Sequence, residues 1–231
     1  MDLKNPTTIE PIAAAQRGRR LAAFLCPPGQ GLYLEPTASG APNRMLLEEY
    51  VRDAFRAKHG ATLGSLMPTL VAFRDRHGSL RGVAGLRGAH EDRLFLEQYL
   101  DRPIERVLAD ALCETGQADT AGVAIRRSDI VEVGNLAGAS CRAAVRIVAQ
   151  LPAYLMTRRY RWIVFTATSA LRDILAGFGA PLVELARADA ASVGEQRDEW
   201  GRYYETDPRV CAGFLPDADQ LACFAHRGGS H

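Results

Sequence analysis

Behind Asn43, apolar residues recur at helical spacing. Leu46, Leu47, Tyr50, Val51, Ala54 and Phe55 fall on one face. Asn43 suits an N-cap and Gly60 a stop, so the pattern predicts an amphipathic helix between them. Two runs of strand character follow, Thr69–Arg74 and Leu80–Leu86, around the turn-rich Asp75-Arg76-His77-Gly78-Ser79. They predict a β-hairpin. Its second strand is built of small residues (Gly82, Ala84, Gly85), as expected where another group comes close to the backbone. Leu94–Leu100 is apolar and aromatic with Glu97 in its middle. Pro103 then opens a helix carrying Ile104, Val107, Leu108, Ala111 and Leu112.

A loop through Gly116–Gly122 leads to a short apolar strand pattern, Ile130, Val131, Val133 and Leu136, with Glu132 inside it. Ser140 suits the cap of the next helix, apolar at Ala144, Val145, Val148, Leu151 and Leu155. Pro152 within that pattern predicts a kink or a division. Trp162–Ala167 predicts a buried strand, and Leu171–Phe178 a short helix closed by Gly179. Leu182–Leu185 and Arg209–Phe214 predict two more strands. The order is helix, hairpin, helix, strand, helix, strand, helix, strand, strand, which gives the α/β class with a mixed sheet flanked by helices. Residues 1–40, Pro- and Gly-rich in their second half, are expected to form a partly irregular N-terminal extension. Residues 41–231 are expected to form one domain.

Charge changes the picture little. The 231 residues carry a formal net charge of +1, so no global field favours nucleic acid. The clusters Arg17, Arg19, Arg20 and Arg158, Arg159, Arg161 read as solvated faces. Five cysteines without a Cys-x-x-Cys fit reduced thiols better than zinc. No export signal is legible and no apolar window nears the roughly 20 residues of a membrane span. The expectation is a cytoplasmic protein without integral membrane association. Neither a G-x-G-x-x-G or P-loop at a strand–helix junction nor a G-x-S-x-G elbow occurs.

The candidate chemistry sits between Asp129 and Ala144. Strand, small-residue turn and helix N-terminus in that order can hold an anion, because the first helical N–H groups lack intrahelical partners. Gly138, Ala139 and Ser140 form that turn. Glu132 precedes it and can accept a proton if its pKa is tuned. The competing reading is a structural carboxylate paired with Arg126 or Arg127, or one facing solvent. Glu97 and Arg87 either fix a polar substrate or orient each other. Glu97, Tyr99 and Thr166 are the substrate-contact candidates, against ion pairing and core packing. Cys141, at a helix N-terminus, reads as a buried, inert thiol because no histidine lies near it in sequence.

Four stretches resemble the thermostable hemolysin family. They are Leu94-Phe95-Leu96-Glu97-Gln98-Tyr99-Leu100-Asp101-Arg102-Pro103-Ile104-Glu105, Ile130–Ala137, Phe165-Thr166-Ala167-Thr168, and Trp200-Gly201-x-Tyr203-Tyr204 with Pro208 and Val210 behind it. The resemblance that they carry extends over most of the chain, from about residue 44 to residue 215. The resemblance implies a fold similar to the GNAT acyltransferases, in the branch of acyl-homoserine lactone and N-acyl amino acid synthases. It implies transfer of an acyl group from an acyl thioester, on coenzyme A or an acyl carrier protein, to a small amine such as an amino acid. No metal and no permanently bound cofactor are implied.

By position, the resemblance makes Glu132 the base and Arg87 the arginine that follows the second hairpin strand. Asn135 joins them among the catalytic candidates. The backbone of Val133, Gly134, Asn135 and Leu136 would meet the oxyanion and pantetheine, against ordinary sheet pairing. Gly138–Ser140 would meet the donor phosphates. Tyr203 or Tyr204 would be a substitute acid for the leaving thiolate, against aromatic packing. The chain departs from the pattern in two places. The Q/R-x-x-G-x-G/A loop is not intact, and Asn135 stands near a position that holds arginine in the synthases. Two other readings follow from the same resemblance: a membrane-active lytic protein, and an inactive module that binds acyl thioesters.

Overall fold

The hydrophobic alternation along the strands resolves into one seven-stranded sheet. The structure is a computed structural model that describes residues 32–114, 124–177, 179–180 and 182–215. The strands are β1 (Tyr33–Ala38), β2 (Thr69–Arg74), β3 (Leu80–Gly88), β4 (Ile130–Gly138), β5 (Trp162–Ala167), β6 (Leu182–Arg187) and β7 (Arg209–Phe214). Their spatial order is β1-β2-β3-β4-β5-β7-β6. Only the central pair, β4 and β5, is parallel among these contacts; the other pairs are antiparallel.

Helices α1 (Arg44–His59) and α2 (Ile104–Glu114) cover one face, and α3 (Cys141–Thr157) and α4 (Ser169–Gly177) the other. Period-two burial makes this division. Leu70 and Ala72 of β2 pack with Leu47 and Val51 of α1, while Val71 and Phe73 pack with Ile147 and Leu151 of α3. Along β4 and β5, Ile130, Trp162 and Val164 join α2; Val131, Val133 and Phe165 join α3 and α4. Glu132 therefore points to the α1/α2 face.

Most predicted elements stand where the pattern put them, and the differences have physical causes. Tyr33–Ala38, expected to be irregular, is an edge strand paired residue for residue with β2. An edge tolerates Pro36. Buried Arg44 ties this strand down by donating to the carbonyls of Thr37 (3.3 Å), Pro68 (3.0 Å) and Met67 (2.6 Å). Leu46, expected on the apolar face of α1, is exposed. Helix α3 runs unbroken through Pro152, with Ile147, Leu151 and Leu155 buried on both sides of it. Leu94–Leu100 contains a 3-10 turn, Phe95–Tyr99. Two more 3-10 segments, Ala190–Trp200 and Tyr203–Thr206, lie before β7. The predicted loop Gly116–Gly122 and residues 1–31 fall outside the described residues.

Two irregularities in β4 open the sheet. Gly85 pairs Gly134 and Val83 pairs Ala137, so β4 spends one more residue than β3 between these pairs. The bulge contains Asn135, whose φ of 48° is one that asparagine tolerates better than most residues. Pairing of β4 with β5 ends at Val133 and Phe165, although β4 continues to Gly138 and β5 to Ala167. The two central strands thus part in the middle of the sheet. The small residues of β3 admit what approaches the bulge. A Cβ on Gly85 would lie 2.7 Å from Met67 Cβ and 2.9 Å from Asn135 Oδ1.

Substitution of that glycine tests the packing. Gly85→Ala is expected to lose about 1–3 kcal/mol, because Met67 Cβ cannot move without its backbone. Gly134→Ala is expected to lose less, since the one atom its new Cβ crowds is the flexible Met67 Cε, at 2.6 Å, with Met67 Cγ at an ordinary 3.6 Å. Urea unfolding of both variants measures the difference. Equal losses would show that Met67 is not held against β3.

Candidate functional site

The gap between β4 and β5 belongs to a cavity of about 880 Å³. On the α1/α2 face it is lined by Phe55, His59, Phe95, Tyr99, Glu132 and Trp200. On the other face it is lined by Leu151, Pro152, Ile163, Phe165, Ile174 and Leu175. Its rim includes Gly138, Ser140 and Cys141, at the N-terminus of α3, where the Cys141 thiol is exposed and not buried as expected. A volume of this size lies in the range of small-molecule and cofactor sites.

Glu132 is the buried carboxylate of this cavity, 2% exposed. One oxygen accepts from the Phe95 amide (2.7 Å) and the other from the Leu96 amide (3.0 Å). These are the first N–H groups of the 3-10 turn, which have no partner within it. Leu94 and Leu96, both buried, anchor the turn. Burial pushes the Glu132 carboxyl up to about 7, against the opposing pull of the two amides and of Arg87. Arg87 is its cross-strand neighbour on β3 and lines the same cavity. Its guanidinium donates to the Arg93 carbonyl (3.1 Å), and no carboxylate pairs with it among the described residues.

The other candidates divide. Tyr99 lines the cavity, and its hydroxyl lies 2.7 Å from that of Tyr204. Burial pushes the Tyr99 phenol far above its ordinary range, so it remains protonated. Thr166 also lines the cavity, with a buried Oγ1 that has no hydrogen-bond partner among the described residues. Asn135 lines it too, but its side-chain carbonyl is engaged by the Met67 amide (2.8 Å) and ties the Leu63–Met67 wall to the bulge. Val133, Gly134 and Leu136 reach the cavity where β4 has left β5.

At the turn, Ser140 Oγ accepts from the Ala143 amide (3.2 Å), and the Ala139 amide donates to the Arg81 carbonyl (2.9 Å). Ala139 is not among the cavity-lining residues, whereas Gly138 and Ser140 are.

Glu97 stands apart from this cavity. Its oxygens accept from the amides of Leu94 (2.8 Å) and Ile104 (3.0 Å) and from Arg127 (2.6 and 3.2 Å). Burial alone would raise its carboxyl; the Arg127 guanidinium and the two amides outweigh it and hold the group below its usual value. Arg127 thus pairs with Glu97 and Glu105, at 2.6 and 2.9 Å. It is not the ion-pair partner of Glu132 that the sequence allowed.

Residues not singled out as site candidates complete the wall, together with Tyr203, one of the two tyrosines offered as an acid for the leaving thiolate. Trp200 stacks against Phe95 (5.3 Å between centroids) and Tyr203 (5.1 Å), and Phe55 meets Trp200 edge-on at 6.2 Å. Tyr203 is buried and donates to the Thr166 carbonyl at 3.3 Å. Gly201 lets this segment press on α1: its φ is 52°, a Cβ there would strike the His59 carbonyl, and the next amide, of Arg202, donates to that carbonyl (2.8 Å). His59 packs between Phe55 and Tyr203; burial, with Lys58 and Arg202 nearby, lowers its pKa and keeps it neutral. The Trp-Gly-x-Tyr-Tyr stretch was visible in the sequence as a motif. That it would roof the Glu132 cavity was not, because about seventy residues separate them.

Comparison with known structures places this architecture. It is similar to the AHL synthase LasI, with a TM-score of 0.52 at 10% identity over 85% of this chain and 96% of that one. It is similar to TofI in an apo form, with a TM-score of 0.50 at 13% identity over 84% and 96%. At such identities the likeness concerns the fold, which is the GNAT-like acyltransferase fold. No curated protein matches the chain. Residues 37–218 match the family described as "Thermostable hemolysin". A match over most of its length means that the chain belongs to the thermostable hemolysin family.

Proposed function

We propose that the protein is an N-acyltransferase. It moves an acyl group from an acyl thioester, carried by coenzyme A or an acyl carrier protein, to a small amine such as an amino acid. The observation that carries this reading is a buried carboxylate, poised near neutrality, at the point where a largely apolar cavity crosses the sheet. Such a group can accept a proton at physiological pH. The likeness to an AHL synthase agrees with the reading at the level of fold; the site carries the argument.

In this reading the acceptor sits on the α1/α2 face, under Phe95, Tyr99 and Trp200, with Arg87 holding its polar end. The amine nitrogen attacks the thioester carbonyl as its proton passes to Glu132. The tetrahedral oxyanion lies against the β4 backbone between Val133 and Leu136, where pairing to β5 has ended. Collapse breaks the C–S bond and releases the thiolate toward the rim. Gly138 and Ser140, at the start of α3, face the donor's phosphate end. The acyl chain extends into the limb formed by Leu151, Ile163, Phe165, Ile174 and Leu175, where burial of each methylene contributes about 0.8 kcal/mol. No helix among the described residues is long and apolar enough to cross a membrane.

Mass spectrometry of lipid extracts, from cells expressing the parent chain or Glu132→Gln, tests the reaction. A new acylated amine in the parent extract alone is the expected result. No new species in either, in a host supplied with candidate amines, would favour binding without turnover. With a reconstituted donor and acceptor, Glu132→Gln should lower turnover by about 10²–10⁴-fold. Because the base acts unprotonated, kcat/KM should rise with pH and level off above about 7. A profile flat from pH 5 to 8 would remove Glu132 as the base. Ile174→Trp should shift the products toward shorter acyl chains, read in the same spectra.

A further inference from the structure

Glu97 and Arg127 form a charged cluster that the proposed reaction does not use. They lie outside the cavity, yet Glu97 is buried within the apolar run Leu94–Leu100. Replacing a buried ion pair by apolar residues of similar size is often neutral or stabilising. The position of this one suggests a reason for it. Arg127 makes five hydrogen bonds, to four separate pieces of backbone or side chain. They go to the carbonyls of Ala89 (2.6 Å) and Asp92 (3.3 Å), to both oxygens of Glu97, and to Glu105 (2.9 Å). Glu97 in turn takes the amides of Leu94 and Ile104, on either side of the 3-10 turn. The bonds through Glu97 fix the turn whose first two amides, Phe95 and Leu96, hold Glu132, and the others tie Arg127 to the segments on either side of it.

We propose that Arg127 is a positioning residue for Glu132, acting through Glu97 and the turn Phe95–Tyr99. The inference rests on the reading of Glu132 as the base. Arg127 donates no hydrogen bond to Glu132; its fork holds the end of β3, the turn and the start of α2 in one geometry. A planar guanidinium can serve several acceptors at once, which an ammonium cannot do in the same arrangement. The charged and titratable groups that act on Glu132 directly are Arg87 from β3 and Glu97 and Tyr99 from the turn. Arg87 and the amides favour its ionised form; Glu97 opposes it. With the fork lost, the turn is free to shift, and the ionised form keeps only part of the donation from Phe95 and Leu96.

Titration of Glu132 itself tests this without any substrate. Glutamate side chains are labelled with ¹³C at the carboxyl, and the Glu132 resonance is assigned by its absence in Glu132→Gln. The full chain, Arg127→Met, Arg127→Lys and Val51→Ala are titrated, and the melting temperature of each is measured. Arg127→Met should raise the proton affinity of Glu132 about tenfold, the effect of losing about one hydrogen bond to a charged group. Arg127→Lys should give a smaller rise. Val51→Ala, a core variant on α1, should melt earlier with the Glu132 titration unmoved. An unchanged or lowered affinity in Arg127→Met would overturn the proposal and leave Arg127 a stabilising ion pair only.

If Arg127→Met does not fold, Glu97→Gln decides. Loss of the Glu97 charge alone would lower the affinity of Glu132, so a rise there requires the turn to have moved, and no rise sinks the proposal. Turnover with an unmoved titration would refute the positioning role alone. A moved titration in a protein without turnover would refute the acyltransferase reading alone.

Discussion

Two backbone amides hold the Glu132 carboxylate, and the rest of the site depends on that contact. An isolated ionised carboxylate inside an apolar wall is expensive. Here the cost is reduced but not removed, so the carboxyl keeps a pKa of about 7. The group is therefore carried at a loss above neutral pH. Its native state binds a proton more tightly than the unfolded chain does, and stability from this group declines as pH rises from about 4.5 to about 7, by about 3 kcal/mol. A fold with a single function of staying folded would gain from an apolar residue at this place. The same loss is what leaves a proton acceptor near neutrality facing the cavity.

The contact is made from the regularly paired part of the sheet, but the cavity beside it needs a break. Glu132 lies one residue before the last β4–β5 pair, Val133 with Phe165. Beyond it the bulge turns β4 aside and the strands separate, so the cavity reaches both faces. The separation needs a support on the far side. Asn135 supplies it by accepting from the Met67 amide, and Gly85 and Gly134 leave room for the Met67 side chain. A strained position, a side-chain hydrogen bond and two missing Cβ atoms thus act together to keep the sheet open.

Much of this was legible in the sequence because it is local. The Thr69–Arg74 strand, the Asn43–Gly60 helix limits and the Ser140 cap each follow from spacing and punctuation within a few residues. Glu132 stood out because it lies in an apolar strand pattern a few residues before a small-residue turn and a helix N-terminus. What was not legible is pairing at long range. Nothing in the neighbourhood of Arg127 says that it will reach Glu97, thirty residues before it, and leave Glu132 to backbone donors. Nor does the irregular stretch around Trp200 announce a roof over α1, because its register is set by Gly201 against the His59 carbonyl. Edge strand β1 was missed for another reason. Its Pro36 lowers strand propensity, and its stability comes from pairing with β2 and from Arg44.

Glu97 and Glu132 show how the fold separates roles that sequence leaves equivalent. Each is a glutamate set in an apolar run, each is buried, and each accepts from two backbone amides. They differ in one partner. A guanidinium reaches Glu97 with two nitrogens and holds its carboxyl below the usual range; among the described residues none makes such a pair with Glu132, and burial raises its carboxyl to about 7. Environments that push two like groups apart in this way mark one as fixed charge and the other as exchangeable proton site. The fixed one also sits where it can hold the donors of the exchangeable one. In the proposed reaction, order in the turn and reactivity at the cavity are therefore two ends of the same chain of hydrogen bonds, beginning at Arg127 and ending at Glu132.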